Sequence, residues 1–455
     1  MSVNYNDMNI KRNAEKALFN WKNTSHHKPL VIRGARQVGK TTLVRNFSKE
    51  FEHYVELNLE KEDDRRFFEK TDNVNTIINA IFLSKQIETE NMSSVLLFID
   101  EIQEFPKAIQ LLRYFYEEFP ELYVIAAGSL LEFALKNVKA FPVGRIETLC
   151  LHPVNFEEYL NCINKQALNE LNHVPVREYA HQPLTDIFHK YAVIGGMPEI
   201  VSYYIENKNI YSLNSKYKTL WQSFKSDVEK YADNQTLKNV IRFVIDASPI
   251  ESDRITFANF GKSNYRSREI GEALRALDKA KIIHLVYPVT TTKPPLIANL
   301  KKKPRLQFLD TGMLNNILML QSDMISIKEL NDFYNGKIIQ HLVAQEIMSL
   351  HNDPDYKPNF WVREKKGSQA EVDLVYQNNQ NIIPIEIKSG KKGTLRSLHQ
   401  FIERADHPYA IRMYGGSFKI EESVTPGGKK YFLMNLPYYL GTKLKEYIDY
   451  FTKKY

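Results

Sequence analysis

Nine consecutive residues near the start of the chain have the types and spacing of a phosphate-binding loop. They read Gly34, Ala35, Arg36, Gln37, Val38, Gly39, Lys40, Thr41 and Thr42. Glycines let backbone N–H groups wrap around phosphates, and a helix that begins in the loop adds partial positive charge. In such loops the lysine reaches the β- and γ-phosphates, and the hydroxyl after it binds Mg²⁺. The pattern therefore predicts a nucleoside triphosphate site with Lys40 and Thr41 in these roles.

The residues around the loop predict the strand and the helix that such a site needs. The apolar segment 29–33 runs into the loop, and a helix-like stretch, 41–50, leaves it. Without that context the pattern would describe only a glycine-bounded turn followed by a chance Lys-Thr pair. With it, nucleotide binding is the favoured interpretation.

A second motif carries carboxylates suited to a magnesium nucleotide. Residues 95–99 form an uninterrupted apolar run, which is typical of a central parallel strand, and the run ends in Asp100 and Glu101. A carboxylate at the carboxyl end of a strand lies where ligands bind in open α/β sheets. We expect Asp100 to complete the Mg²⁺ shell and Glu101 to polarise the attacking water.

Two further residues are candidates for contacts with the γ-phosphate. Ser129 follows a third apolar strand, 123–127, and is a candidate to sense the γ-phosphate or its water. Arg145 follows Gly144 on a predicted loop and is a candidate arginine finger. A solvated surface arginine is the alternative for Arg145. A finger could act within its own chain or on a second copy of the chain.

A predicted hairpin near the C-terminus brings two more carboxylates together. Polar and apolar residues alternate in 371–374 and 384–388, with a polar turn at 378–381 between them. If the hairpin is symmetric about that turn, Asp373 lies opposite Glu386, and the next outward pair is Glu371 and Lys388. Their Cβ atoms would be about 5 Å apart. Carboxylates that close repel each other unless a cation or a proton lies between them.

The motifs together resemble those of a group of prokaryotic ATPases of the AAA type. The resemblance rests on residues 34–42, 99–103, 128–129, 144–145, 153–159 and 195–199. It runs from about residue 17 to about residue 420 and implies ATP and Mg²⁺ as cofactors. Proteins of this group carry a C-terminal domain of uncharacterised function that is similar to a restriction-endonuclease fold.

The hairpin carboxylates are similar to the metal site of phosphodiesterases with that fold. The resemblance implies that Asp373 and Glu386 bind Mg²⁺, while Lys388 positions the water or stabilises the pentavalent phosphate. A basic rim that could hold a nucleic-acid backbone follows at Lys391, Lys392 and Arg396.

The resemblance is weaker on the preceding helix. In related domains a Glu follows a Gly by four residues on this helix. In this chain the residue four positions after Gly336 is Gln340. Glu346, farther along the same helix, is a candidate substitute. The alternative is a degenerate nuclease fold kept for binding or assembly, in which Lys388 and Arg363 hold the two acids.

The spacing of apolar segments predicts an α/β fold in four parts. Strands alternate with helical stretches and are predicted at 29–34, 53–59, 94–100, 123–127 and 146–152, which indicates a parallel sheet. We assign a P-loop NTPase core to 1–155, a helical lid and hinge to 156–230, a winged-helix segment to 231–312 and a restriction-endonuclease-like α/β domain to 313–455.

The third part resembles a winged helix-turn-helix. A helical stretch, 237–246, is followed by a longer helix, 267–281, and by extended segments at 283–287 and 305–309. The tip between the extended segments carries Lys293, Lys301, Lys302 and Lys303. Such folds place the second helix in the DNA major groove and contact phosphates nearby. A protein-binding winged helix with a solvated charge run is the alternative.

Composition restricts the class of protein. The chain has 455 residues, 43% of them hydrophobic and 25% charged, and a net charge of +7, which permits nucleic-acid binding without requiring it. Cys150 and Cys162 form no metal-binding pattern and fit a reducing compartment. The polar N-terminal segment and the lack of a long apolar run predict a cytoplasmic protein without a signal peptide or membrane helix.

The sequence as a whole favours a Mg²⁺-dependent ATPase that acts as a nucleotide-driven switch on nucleic acid. An ATP-controlled nuclease is one alternative, and a DNA- or protein-binding module with a degenerate nuclease fold is another. Candidate partners besides ATP are DNA or RNA and a protein. The oligomeric state, the substrate and the activity of the C-terminal site stay open.

Overall fold

The computed structural model describes residues 10–88, 90–129, 131, 142, 144–230, 232, 234–251, 254–321, 337–364, 370–388 and 395–455. Strands and helices alternate in the first part of the chain. Its elements are α1 (Ala14–Lys22), β1 (Leu30–Arg33), α2 (Lys40–Phe47), β2 (His53–Asn58), α3 (Glu62–Glu69), α4 (Val74–Lys85), β3 (Val95–Asp100), α5 (Pro106–Glu118), β4 (Tyr123–Ala127) and β5 (Glu147–Cys150).

The five strands form one sheet, and every pair in it is parallel. Their order is β2-β3-β4-β1-β5, so the chain crosses from β1 to the far edge and returns to place β4 and β5 on either side of β1. The predicted strands are confirmed, with ends shifted by one or two residues. The carboxyl ends of β1, β3 and β4 meet at one edge, which is where open α/β sheets bind ligands.

Residues from the far end of the chain cover the outer strand of this sheet. The Cys150 N–H donates to Asn352 O at 2.9 Å, and His152 Nε2 lies 3.0 Å from His351 O. The carboxyl end of β5 therefore contacts the C-terminal part, whereas Thr148 earlier in the strand is exposed.

Helices follow the sheet, as predicted for the second part. They are α6 (Phe156–Ile163), α7 (Lys165–Leu171), α8 (His181–Ile194), α9 (Pro198–Asn207) and α10 (Asn214–Lys230). A capping box begins α6, because the Asn155 side chain accepts from the Glu158 N–H while the Glu158 carboxylate accepts from the Asn155 N–H. This arrangement satisfies donors that the first turn of a helix leaves free.

The third part contains two helices and a hairpin in the predicted order. These elements are α11 (Gln235–Ala247), α12 (Ser267–Lys279), β6 (Ile283–Val286) and β7 (Arg305–Phe308), followed by α13 (Thr311–Ile317). The segment between the two strands does not project freely as a wing. Lys293 pairs with Asp406 at 2.6 Å, and the Leu296 N–H donates to Gln377 Oε1 at 3.3 Å, so the segment lies against the C-terminal part.

A second sheet, with mixed strand directions, forms the C-terminal part. Its elements and their neighbours are α14 (Lys337–Met348), β8 (Trp361–Val362), β9 (Glu371–Val372), β10 (Leu374–Asn378), β11 (Asn381–Ile387), α15 (Arg396–Ile402), β12 (Tyr409–Tyr414), β13 (Lys419–Val424), β14 (Lys430–Pro437) and α16 (Leu444–Lys454). The sheet order is β10-β11-β12-β14-β13. Leu374 pairs with Ile385, which is the register that the predicted turn requires.

One continuous apolar core joins these parts. It contains Leu43 in α2, Tyr191 in α8, Leu277 in α12 and Phe451 in α16. A separate core packs on the other face of the parallel sheet. Within the described ranges, no helix has both the length and the apolar character needed to cross a bilayer.

Candidate functional site

The loop between β1 and α2 has backbone angles that glycine tolerates best. Gly34 has φ +150°, and a Cβ there would lie 2.3 Å from Leu151 O. Gly39 has φ +94° and precedes the first residue of α2. Both positions disfavour a side chain, so the glycine spacing of the motif follows directly from the turn.

The Lys40 side chain closes the loop from inside. Its Nζ donates to Gly34 O at 3.1 Å and to Ala35 O at 2.9 Å, and only 7% of the residue is exposed. Burial lowers the pKa of Lys40 to about 8, although the carboxylates of Glu101 and Asp100 oppose this shift. An entering polyphosphate would favour the charged lysine, because opposite charges nearby raise its pKa.

The Thr41 hydroxyl and the Asp100 carboxylate meet at the carboxyl edge of the sheet. Thr41 Oγ1 donates to Asp100 Oδ2 at 2.7 Å, and burial raises the pKa of Asp100. A hydroxyl and a buried carboxylate at this distance are oxygen ligands of the kind Mg²⁺ prefers. The residues present therefore fit a magnesium ion held between β3 and the start of α2.

Glu101 lies beside this pair on a tight turn. It has φ +50°, and its Oε2 accepts from Gln103 Nε2 at 2.6 Å. Gln103 is buried, and in the described part of the chain its Oε1 has no hydrogen-bond partner. Gln103 therefore orients Glu101, a contact that the motif alone did not indicate.

The structure places Ser129 and Arg145 at opposite edges of the sheet. Ser129 is buried just after β4, next to Gly128, whose N–H lies 3.4 Å from Ile32 O. Arg145 precedes β5, which starts beside the beginning of β1, and pairs with Glu117 at 3.2 Å. Ser129 thus lies at the loop edge, whereas Arg145 does not reach the loop of its own chain.

Two contacts to the loop come from distant parts of the chain. Arg36 donates through Nη1 to both carboxylate oxygens of Asp227 in α10, at 2.7 Å each. Gln37, which has φ +62°, lies with its Nε2 3.5 Å from Ser223 Oγ in the same helix. The helical segment therefore contacts the loop directly, through residues with no recognisable motif.

Arg12, just before α1, holds the other side of the loop. Its guanidinium donates to Val38 O at 2.9 Å, to His152 O at 2.6 Å and to Glu158 Oε2 at 3.1 Å. Arg12 and Glu158 are both buried, so this is an ion pair of the protein interior. It connects the loop, the end of β5 and the capping box of α6.

The C-terminal carboxylates lie next to each other, as predicted. Asp373 Oδ2 accepts from the Ile387 N–H at 2.8 Å, and Glu386 Oε1 accepts from Lys388 Nζ at 2.6 Å. Glu386 is 6% exposed, and its Oε2 has no hydrogen-bond partner among the residues that the structure describes. Burial raises the pKa of both acids, and for Glu386 the nearby Asp373 adds to the shift, to about 7.

Two expectations for this site were wrong. Among the described strands Glu371 forms no pair with Lys388: the β10–β11 ladder begins at Leu374, Glu371 pairs with Val362 in the β8–β9 sheet, and its carboxylate contacts Arg305. Arg363 does not hold the acids either, since it donates to Gln400 Oε1 at 2.9 Å.

The position of α14 decides between the two upstream candidates. Gln340 Nε2 lies 3.4 Å from Asp373 O, so this residue borders the site. Glu346 is elsewhere, accepting from the Phe156 N–H at 2.9 Å and lying 2.6 Å from the Tyr191 hydroxyl. It therefore cannot substitute as a metal ligand. Gly336, Lys391 and Lys392 lie outside the described residues.

A cation at this site would have two carboxylates available. No cluster of three or more His, Cys, Asp or Glu side chains suited to a metal occurs in the part of the chain that the structure describes. The partnerless oxygen of Glu386, next to Asp373, nonetheless fits a divalent ion, because a buried carboxylate oxygen without a partner is costly.

Three family models match successive parts of the chain. Residues 26–160 match an AAA domain. Residues 185–324 match a domain of unknown function (DUF8612), and residues 335–435 match another (DUF4143). No curated protein matches the chain.

Two solved structures are similar to it at low identity. A Walker-type ATPase of Pyrococcus abyssi shares 14% identity with a TM-score of 0.44, over 68% of this chain and 96% of that one. A signal transduction ATPase with numerous domains and a tetratricopeptide repeat sensor, from Pyrococcus horikoshii, shares 11% with a TM-score of 0.29, over 75% of this chain and 48% of that one. This chain thus spans about half the length of the second structure. Residues 26–160 are therefore similar to an AAA domain, and the five-stranded parallel sheet with its nucleotide-type loop fits that similarity.

Proposed function

We propose that the protein is a Mg²⁺-dependent ATPase that works as a nucleotide-driven switch on nucleic acid. The observation that carries the proposal is the 2.7 Å contact of Thr41 Oγ1 with Asp100 Oδ2, at the mouth of a loop closed by Lys40. Thr41 and Asp100 would hold Mg²⁺, which supplies charge stabilisation to the phosphates when bound.

The remaining residues of the site divide the work of hydrolysis. Lys40 binds the β- and γ-phosphates, and loop N–H groups surround them. Gln103 orients Glu101. Glu101 polarises the attacking water or accepts a proton from it. Ser129 at the end of β4 contacts the γ-phosphate or that water.

Substitutions at two of these residues test hydrolysis. Lys40→Ala should abolish ATP binding, whereas Glu101→Gln should bind ATP and lower kcat by at least about 100-fold, as loss of a general base does. Lys49→Ala and Glu104→Gln, both at exposed positions close in sequence, are matched controls. ATP turnover that both test substitutions leave unchanged would remove the proposal.

The switch is supported by contacts between the loop and the helical segment. Arg36 is bound to Asp227 and is only about one-third exposed, so a phosphate that approaches the loop competes for the same guanidinium. Exchange of Asp227 for phosphate would release α10 from the loop. Small-angle scattering and hydrogen exchange with and without ATP should detect this in α10; identical profiles in both states would argue against a switch.

We propose that Arg145 acts as a finger on a second copy of the chain, because it pairs with Glu117 away from its own loop. Arg145→Ala should then lower turnover only at protein concentrations where the chain associates. Arg113→Ala, on the same exposed side, is a matched control because both arginines pair with Glu117. A loss that does not depend on concentration would exclude action in trans.

Nucleic-acid binding is supported by the basic segment before β7. Lys301→Ala, Lys302→Ala and Lys303→Ala together should flatten the salt dependence of DNA binding by up to about three units in slope, if each contacts a phosphate. The double variant Lys453→Ala and Lys454→Ala is the control. An unchanged slope would favour a protein partner for this segment.

A second candidate function is Mg²⁺-dependent cleavage of a phosphodiester at Asp373 and Glu386. The partnerless Glu386 Oε2 favours it, since a cation there would satisfy that oxygen. When bound, Mg²⁺ would lower the pKa of a water, and Lys388 would position that water. Incubation with DNA and RNA in Mg²⁺ or Mn²⁺ tests it, with Asp353→Ala as control. Cleavage that survives Asp373→Ala would come from a contaminant.

A further inference from the structure

The guanidinium of Arg305 lies on the carboxylates of the C-terminal site. Its Nη2 contacts Glu371 Oε1 and lies 3.8 Å from Asp373 Oδ1, while its Nη1 donates to Asp373 O at 3.1 Å. Arg305 begins β7 and so belongs to the segment 185–324, whereas both acids lie in 335–435. The segment 185–324 thus places a cationic side chain in the acidic site of the segment 335–435.

The position of Arg305 is fixed on several sides. Its side chain is 16% exposed, and its guanidinium lies 4.2 Å from the centre of the Phe360 ring. Such stacking restricts an arginine in a way that surface ion pairs do not. Arg254 adds a longer contact to Glu371, at 3.6 Å.

The charges at the site are balanced by side chains of the protein itself. Three carboxylates, of Glu371, Asp373 and Glu386, face three cations, of Arg305, Arg254 and Lys388. A divalent ion added to this set would lie within a few ångströms of the Arg305 charge. Like charges in a partly buried site repel strongly because the effective dielectric constant there is low.

One oxygen nevertheless lacks a partner. Within the described residues, Glu386 Oε2 receives no hydrogen bond although only 6% of Glu386 is exposed, and Lys388 binds only the other oxygen. The cationic side chains of the protein therefore balance the charge of the site but leave Glu386 Oε2 without a hydrogen bond among the described residues. What is missing at Oε2 is a ligand that Arg305 does not supply.

We propose that Arg305 is an intramolecular counter-ion that keeps a divalent cation from Asp373 and Glu386 until the β6–β7 hairpin withdraws. This inference rests on the second candidate function, in so far as it takes the pair as a metal site. Withdrawal would remove one charge from beside Asp373 and leave its carboxylate and Oε2 of Glu386 free to share the ion.

The chain offers a route by which nucleotide could cause that withdrawal. Asp227, which binds Arg36 of the nucleotide loop, lies in the same matched segment as Arg305. Movement of that segment away from the loop would also move β7. The counter-ion role itself does not depend on this route and is tested without nucleotide.

The experiment measures Mn²⁺ binding to the full chain without nucleotide, by calorimetry and by electron paramagnetic resonance. Only the binding that Asp373→Asn removes is counted, which excludes ions held at Thr41 and Asp100. Arg305→Gln should bind Mn²⁺ at least tenfold more tightly than the unaltered chain. Arg305→Met, which keeps the stem against Phe360, should do the same if the glutamine variant fails to fold. Arg305→Lys keeps the charge and should stay weak.

The outcomes separate the two proposals. Equal, Asp373-dependent affinity in the unaltered chain and in Arg305→Gln would overturn the counter-ion role and leave the metal site standing. A tenfold gain in Arg305→Lys as well would also overturn it, because packing and not charge would be the cause. If no variant shows Mn²⁺ binding that depends on Asp373, the metal site fails, and the inference fails with it.

Discussion

Replacing Glu346 by glutamine should change how the stability of this protein depends on pH. Glu346 is fully buried on α14, with its carboxyl group between the Phe156 N–H and the Tyr191 hydroxyl. Burial raises its pKa from 4.5 to about 8. The Tyr191 hydroxyl and the Phe156 N–H donate to this carboxyl group and oppose the shift in pKa, but burial outweighs them.

The expected magnitude follows from that shift in pKa. Between pH 4.5 and about 8 the folded protein holds a proton on Glu346 that the unfolded chain releases. Because the pKa of Glu346 is higher in the folded protein, its contribution to the free energy of unfolding is complete below pH 4.5, the unfolded pKa. That contribution is lost as the pH rises to the folded pKa of about 8. Each pH unit in this window is worth about 1.4 kcal/mol, so the free energy of unfolding should fall by about 2 kcal/mol from pH 6 to pH 8 through this group.

Urea unfolding at pH 6, 7 and 8 measures the effect. Glu346→Gln cannot ionise but keeps an acceptor for Phe156 and a polar group for Tyr191, so it should lack this loss. The stability difference between the two proteins should therefore change by about 2 kcal/mol across the range. Glu206→Gln, at an exposed position, should follow the unaltered protein. A difference that stays constant from pH 6 to pH 8 would refute a protonated Glu346.

Three further substitutions test other contacts. Asp227→Asn frees Arg36 for phosphate and should tighten ATP binding by a few-fold, the worth of a partly exposed ion pair, in a fluorescent-nucleotide titration; unchanged affinity would contradict competition at Arg36. Asn155→Ala removes the cap of α6 and should cost about 1 kcal/mol of unfolding free energy in urea, and no loss would mean that the cap is replaced by water. Arg12→Ala leaves Glu158 buried without its cationic partner, so it should lower the free energy of unfolding by about 3 kcal/mol. Hydrogen exchange in the nucleotide loop should also become faster. Faster exchange confined to α1 would show that the loop does not depend on Arg12.

Local chemistry explains what the sequence predicted. The buried parallel strands are apolar runs, and the loop has glycines where its backbone requires them, so both are written in neighbouring residues. The register of β10 and β11 followed from the position of one polar turn, which is why Asp373 and Glu386 were expected together. The same turn also predicted Glu371 opposite Lys388, and that pairing fails because Glu371 pairs with Val362 instead.

Other features depend on packing between distant segments. Arg36 and Asp227 are 191 positions apart, and Arg305 reaches Glu371 across 66, so no spacing in the sequence indicates either pair. Glu346 was wrongly considered for the metal site because it shares α14 with Gln340. Six residues turn a helix by about 600°, which leaves the two side chains on different faces.

The cover on β5 has a consequence for work with isolated pieces. A polypeptide limited to 26–160 would lack Asn352 and His351, so the Cys150 N–H at the end of β5 and the His152 ring after it would lose their partners. Unpaired sheet margins of this kind recruit strands from other molecules. Such a fragment should precipitate or form soluble aggregates through the end of β5, while the intact polypeptide, which covers that end with Asn352, remains dispersed.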